Sequence, residues 1–255
     1  MTSSRQLTLT ALPGIPLIDQ GDDLGALIQQ GLAREKLALK DGDVLVVTSK
    51  IVAKAEGRRV RLSSVIPSEE AKSLASETGK DPRLVELILR ESRQVLRKRP
   101  GLIIVEHRLG FICANAGVDH SNVRGDGDWV LLLPEDPDAS AEALRSRLER
   151  DSGVQLGVLI IDSHGRAWRQ GTVGVAIGIA GFPALVDMRG EQDLLGELLR
   201  VTVIGLADEI AAAASAVMGQ AAEGLPVVHV RGLPYVLREG TLSEVLRPEE
   251  RDLFR

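Results

Sequence analysis

Residues 6–12 alternate apolar and polar positions, as a strand with one buried face does, and the alternation breaks at Pro13-Gly14. Leu24, Leu27, Ile28 and Leu32 then recur at helical spacing, and Asp22 or Asp23 can cap a helix that runs to Lys36. An Asp41-Gly42 turn leads into VLVVTS at 44–49, a continuous apolar run typical of a strand covered on both faces. Ser68 opens another helix, and Asp81-Pro82 opens a third, with Asp as the cap and Pro in the first turn. Residues 102–106 and 109–113 read as strands joined by the polar His107-Arg108. A strand at 130–133, a helix at 139–152 and a buried strand at 158–161 that stops at Asp162 follow. The stretch GTVGVAIGIAG at 171–181 is strand-like but rich in glycine, which points to bends or close backbone approach. The longest helical pattern covers 191–218, and 226–230 form the last strand. Strands alternate with helices without a repeat or a linker, so the expected class mixes α and β.

Composition narrows the possible partners. Aromatic residues are 2% of the chain, so the core rests on Leu, Val, Ile and Ala, and base stacking on aromatic platforms is disfavoured. A formal charge of -5 argues against coating nucleic acid or an anionic membrane. An anionic ligand would therefore have to be met locally, by a few Lys or Arg side chains or by bound cations. Cys113 is the single cysteine, so no intrachain disulfide can form and a reducing, cytoplasmic setting is expected. The first residues lack a basic stretch followed by an apolar one, so no signal peptide is expected. The apolar segment 198–218 carries Arg200, Asp208 and Glu209, and these charges spoil a membrane span.

The common nucleotide and zinc signatures are missing. No P-loop, no G-x-G-x-x-G after a strand and no H-E-x-x-H occur. Three other segments carry candidate chemistry. In ANAGVDHSNV, 114–123, small residues let backbone come close while Asp119 offers a hard oxygen ligand and Asn122 a carboxamide. In VLIIDSHGRAWRQG, 158–171, a strand delivers Asp162 and Ser163 at its end, and Arg166 and Arg169 follow within reach of an anion. TSKIVAKAEG, 48–57, adds Ser49 and two lysines, Lys50 and Lys54, whose compact point charges suit phosphate oxygens. By residue type alone, the same segments also read as polar turns and solvated lysines.

Taken together, these segments resemble the coenzyme F420 gamma-glutamyl ligase family. The matching motifs are LPGIP at 12–16, TSKIVAKAEG, CANAGVDHSNV, IIDSHGRAWRQG, AIGIAG at 176–181 and ADEIAAAASAVMGQAAEGLPVVHVRG at 207–232, nearly the whole chain. The resemblance implies an α+β fold of mixed sheets with flanking helices, two lobes in one compact ligase domain over 1–255, paired as an intertwined homodimer. It implies addition of L-glutamate to F420-0 with GTP as co-substrate and two magnesium or manganese ions, potassium being a further candidate. Asp119, Asp162, Ser163 and Gln220 would hold the metals, with Asp119, Asp162 and Lys54 as the catalytic group. Leu12, Pro13, Gly14, Ile15, Ser49, Lys54 and Asn122 would contact GTP. Arg166 and Arg169 are expected to serve the non-nucleotide substrates. The flavin-dependent reductase domain of some relatives is not expected here, nor is a nucleic-acid or membrane partner.

Overall fold

The computed structural model describes residues 4–120 and 127–253. In chain order its first half contains β1 (Thr8–Ala11), α1 (Leu24–Arg34), β2 (Asp43–Thr48), α2 (Ser49–Ala55), β3 (Arg59–Arg61), α3 (Glu69–Thr78) and α4 (Pro82–Arg90). Then come β4 (Ser92–Arg99), β5 (Leu102–His107), β6 (Ile112–Ala114), β7 (Trp129–Leu131) and α5 (Pro137–Ser152). The remainder holds β8 (Leu156–Arg166), β9 (Arg169–Ala180), β10 (Val186–Asp187), β11 (Val203–Ile204), α6 (Leu206–Met218), β12 (Val227–Arg231) and α7 (Leu242–Val245). The class is α+β with several mixed sheets, as the resemblance implied, and the alternation of elements had already indicated a mixture of α and β.

A five-stranded sheet in the order β1-β12-β2-β8-β9 organises the molecule. The β2 and β8 strands run parallel, and every other neighbouring pair in that sheet is antiparallel. Side chains alternate across a strand, so β2 splits its apolar run between two faces. Leu45 and Val47 join a core with α1 and α5, whereas Val44 and Val46 pack with α6. This explains the unbroken VLVVTS: both faces are dry. The larger core continues through Leu74 of α3 and Ile88 of α4 into Ile103 and Val105 of β5.

The outer edge of this sheet is β9, and the carboxylates of two helix residues, Asp138 and Asp208, close part of it. Asp208 of α6 accepts the Ala176 N–H at 3.0 Å, beside a bulge between β8 and β9. Asp138 of α5 accepts the Ile179 N–H at 2.8 Å and the Leu242 N–H at 3.0 Å. Burial raises both carboxyls above their ordinary values, against the pull of these backbone donors.

Local signals mostly landed where capping chemistry is explicit. Asp23, Ser68 and Asp81 each accept a backbone N–H from the first turn of the helix they open. Asp136-Pro137 opens α5 by the same rule as Asp81-Pro82, two residues earlier than the periodicity indicated. The pattern at 191–218 is helical only from Leu206. Gly190 and Gly196 take positive φ, and a bridge between Gln192 and Leu198 folds the preceding stretch into a small hairpin. Leu194, Leu195 and Val201 lie exposed, so a helix there would have found nothing to pack against. The strand expected at 109–113 begins later, because Gly110 (φ 98°) turns the chain back onto His107. The strand expected to stop at Asp162 continues to Arg166, because the pairing with β9 carries the backbone on.

Candidate functional site

The carboxyl ends of the parallel pair β2 and β8 lie side by side, with Thr48 opposite Ile161. Parallel strands place their last residues at one edge of a sheet, where loops diverge and leave a crevice. Here the crevice is a cleft of about 370 Å³. The start of α2, the residues that follow Ile161, and the loops at 15–18 and 219–226 form its walls.

Asp162 and Ser163 enter from β8. Asp162 is half-buried, and Oδ1 accepts the Ser49 hydroxyl at 2.9 Å. His164, two residues along the strand and hence on the same face, sets its Nε2 3.3 Å from Oδ2. Burial would raise this carboxyl, but the His164 and Ser49 contacts outweigh it and hold the group below the ordinary carboxylate range. The His164 ring leans on Phe111 at 5.3 Å, and Phe111 stacks on the buried His107 at 4.9 Å.

Asp119 arrives from a different part of the chain. Its backbone bridges to Leu131, and its Oδ2 pairs with the Lys50 ammonium at 2.6 Å. Asp119, Asp162, Ser49 and Lys50 border one small pit beside the cleft, so the two carboxylates converge on the start of α2. Lys54 lies one helical turn beyond Lys50, 7% exposed, and lines the cleft. Burial lowers its pKa, with help from the neighbouring charges of Arg59 and Lys50, while Asp119 and Asp19 oppose the shift.

The second donor pair is also assembled. The Ser163 hydroxyl donates to Gln220 Oε1 at 2.9 Å, and Gln220 Nε2 donates to Ser215 at 2.8 Å, tying the loop after α6 to β8. Asp119, Asp162, Ser163 and Gln220 thus supply oxygen atoms only, a set suited to hard divalent ions such as magnesium or manganese. No cluster of three His, Cys, Asp or Glu side chains with metal-binding geometry occurs among the described residues.

Other candidates are placed less directly. Within 12–15 only Ile15 lines the cleft; Leu12 is buried in the core, and Pro13 and Gly14 are exposed, the Gly14 carbonyl accepting from Arg34. Arg166 and Arg169 face one another at the exposed tip of the β8–β9 hairpin, and neither lines the cleft. Asn122 lies outside the described residues. Sequence reasoning passed over His164, which two-residue strand alternation would have revealed had β8 been extended past Asp162. It also missed Ser215 and the loop residues beyond Gln220.

The sequence profile described as F420-0:Gamma-glutamyl ligase matches residues 14–232. The chain is 46% identical to the coenzyme F420:L-glutamate ligase of Methanothermobacter thermautotrophicus, over 98% of this chain and 99% of that protein. Identity to the protein of the same name from Methanopyrus kandleri is 49%, over 92% of each chain. The Archaeoglobus fulgidus counterpart is 47% identical over 95% of this chain and 94% of its own.

Proposed function

The chain belongs to the F420-0:gamma-glutamyl ligase family, and from that premise we propose that it joins L-glutamate to F420-0 through a γ-glutamyl amide, with GTP as the energy source. The observation that carries this reading is the convergence of Asp119 and Asp162, from segments far apart in sequence, with Ser49 and Lys50 on one small pit beside the cleft.

Amide formation from a carboxylate is uphill until its oxygen becomes a good leaving group. In the proposed reaction a carboxylate oxygen of F420-0 attacks the γ-phosphorus of GTP, and the bond to GDP breaks. The glutamate amine then attacks the acyl carbon, loses a proton, and phosphate departs. Divalent cations, when bound, neutralise phosphate charge that would repel the attacking carboxylate. Asp119 and Asp162 are the anionic ligands for them, with Ser163 and Gln220 as neutral oxygen donors. Lys54, held in a partly dry wall, offers the triphosphate a positive charge with little competing water. Ser49 and His164 keep both oxygens of Asp162 in place. Ile15 and its neighbours give the nucleoside an aliphatic wall. Arg166 and Arg169, at the hairpin tip outside the cleft, are assigned to carboxylates of the other substrates only where those extend beyond the cleft, since planar anions suit a guanidinium fork.

The enzyme is further proposed to act in the cytoplasm as a homodimer. Leu194, Leu195, Val201 and Trp168 are exposed apolar side chains whose cover by a second copy would remove them from water. No helix among the described residues is long and apolar enough to cross a membrane. Light scattering that finds only a 27.4 kDa species at micromolar concentration would refute the dimer.

Incubation of the protein with F420-0, glutamate, GTP and manganese, read by mass spectrometry, tests the activity. The expected product is heavier by a glutamyl residue, with GDP and phosphate formed in step and nothing formed after chelation of the metal. Phosphate release that ignores F420-0 and glutamate would instead mark a nucleotide phosphohydrolase. Binding of GTP without GDP formation would mark a non-catalytic module.

A further inference from the structure

The two carboxylates that converge on the start of α2 are accompanied by a cation of the chain's own. Lys50, the second residue of α2, sets its ammonium 2.6 Å from Asp119 Oδ2. It borders both the pit shared by Asp119 and Asp162 and the larger cleft. Two carboxylates against one ammonium leave the pit with a single negative charge. Lys54 and Glu223, the other charged residues lining the cleft, oppose one another and do not alter that sum. Ser163 and Gln220 contribute oxygen atoms but no charge.

A site with so little negative charge is a poor trap for divalent ions. Affinity for hard cations rises with the number of charged oxygen ligands, and an ion held by one or two carboxylates completes its shell with substrate phosphates and water. Here one of the two carboxylates already has a partner of opposite charge. That pair is nevertheless one that can open. Its side chains are 34% and 31% exposed, and water competes effectively for an ion pair so placed. The lysine charge also rides on a flexible stem. Because Lys50 already lines the cleft, releasing Asp119 leaves its ammonium beside whatever anion lies there.

We propose that Lys50 is a resident counter-ion that keeps divalent ions from settling on Asp119 ahead of the nucleotide. When ion and nucleotide arrive together, Lys50 gives up Asp119 and turns into the cleft, and the freed carboxylate becomes a ligand. Metal and nucleotide are thereby coupled, each bound weakly alone and tightly with the other. The inference rests on the metal and nucleotide readings above and adds the residue that ties one to the other.

The test reads binding rather than turnover. Manganese is titrated into nucleotide-free protein, and the free ion is followed by electron paramagnetic resonance. Lys50→Met removes the charge and should tighten manganese by about tenfold or more, whereas Lys50→Arg keeps the charge and should bind like wild type. The sign separates the two roles open to this residue. A lysine that merely props Asp119 in place would weaken manganese binding when lost, and that result, or no change, overturns the proposal. Equilibrium dialysis of GDP supplies the second arm. Manganese should raise GDP affinity of the wild type by about tenfold or more, and this gain should shrink in Lys50→Met. A wild-type gain near one overturns the coupling without any variant. Wild-type protein and Lys50→Met that both fail to bind manganese, even with GDP present, would sink the metal reading itself, and this inference with it.

Discussion

Gly174→Ala probes whether the approach of α6 to β9 sets the geometry of the site. Gly174 pairs with Ser163 across the β8–β9 ladder, and its missing side chain faces α6. A Cβ built there would lie 2.5 Å from the Ala211 carbonyl oxygen and 2.6 Å from the Ser215 Cβ. Backbone of a helix cannot swing aside as a flexible side chain does, so α6 must retreat by roughly 1 Å to restore normal contact. Overpacking of this kind costs about 1–3 kcal/mol, which for a chain of this size lowers Tm by about 2–12 °C. The retreat also carries Ser215 away from Gln220, and thereby Gln220 from Ser163. Misplacement on that scale can cost up to about 100-fold in rate. Gly165→Ala is the control, since Gly165 lies on the paired strand with nothing within 4 Å of its Cβ position. Differential scanning fluorimetry and steady-state ligation assays on both variants give the answer. An unchanged Tm for Gly174→Ala would refute the packing argument, and a lowered Tm with full activity would show that α6 does not position the site.

Lys54→Ala should raise the KM for GTP about tenfold or more while leaving that for glutamate nearly unchanged; equal effects on both would remove Lys54 from the phosphate site. Glu91 should dominate acid stability. Burial alone would raise its carboxyl, but the His107 ring 3.6 Å away, the hydrogen bond from Arg108 and the charges of Arg58 and Arg108 bring it down to about 2 from 4.5. A depressed carboxyl stabilises the fold above its unfolded value, and the contribution of about 3 kcal/mol is lost as pH falls from 4.5 toward 2. Glu91→Gln should therefore flatten the urea-unfolding free energy across that window, and a slope like that of the parent would contradict the assignment. Cys113 is 6% exposed, and burial, with the nearby charge of Asp162, pushes its thiol up to about 12. It should resist aromatic disulfide reagents at pH 8 until urea unfolds the protein; rapid labelling of the native state would show that β6 opens.

Much of this architecture was legible because its signals are local. Asp23, Ser68 and Asp81 announce helices through their own hydrogen bonds, and the apolar run of β2 announces a doubly covered strand. The stretch before Leu206 misled because helical periodicity states only what a helix could bury, not whether a partner surface exists. In the site, Asp162 with Ser163 and Gln220 with its loop were visible as motifs, yet their contact depends on how α6 packs. His164 was hidden by a strand end placed too early. Arg166 and Arg169, adjacent to Asp162 in sequence, stand apart from the cleft because an extended strand rises about 3.3 Å per residue and carries them to the hairpin tip.

The carboxylates of Asp138 and Asp208 give the molecule a way to stay dispersed. An edge strand is a template for further strands, and a growing sheet needs its outward N–H groups. On β9 the Ala176 and Ile179 N–H groups are already taken by side chains anchored in α5 and α6. A strand from another molecule would first have to break these two bonds and displace the side chains that make them. Sheet extension across Ala176 and Ile179 is thereby hindered by side chains that reach the edge from α5 and α6 rather than by any residue of β9 itself.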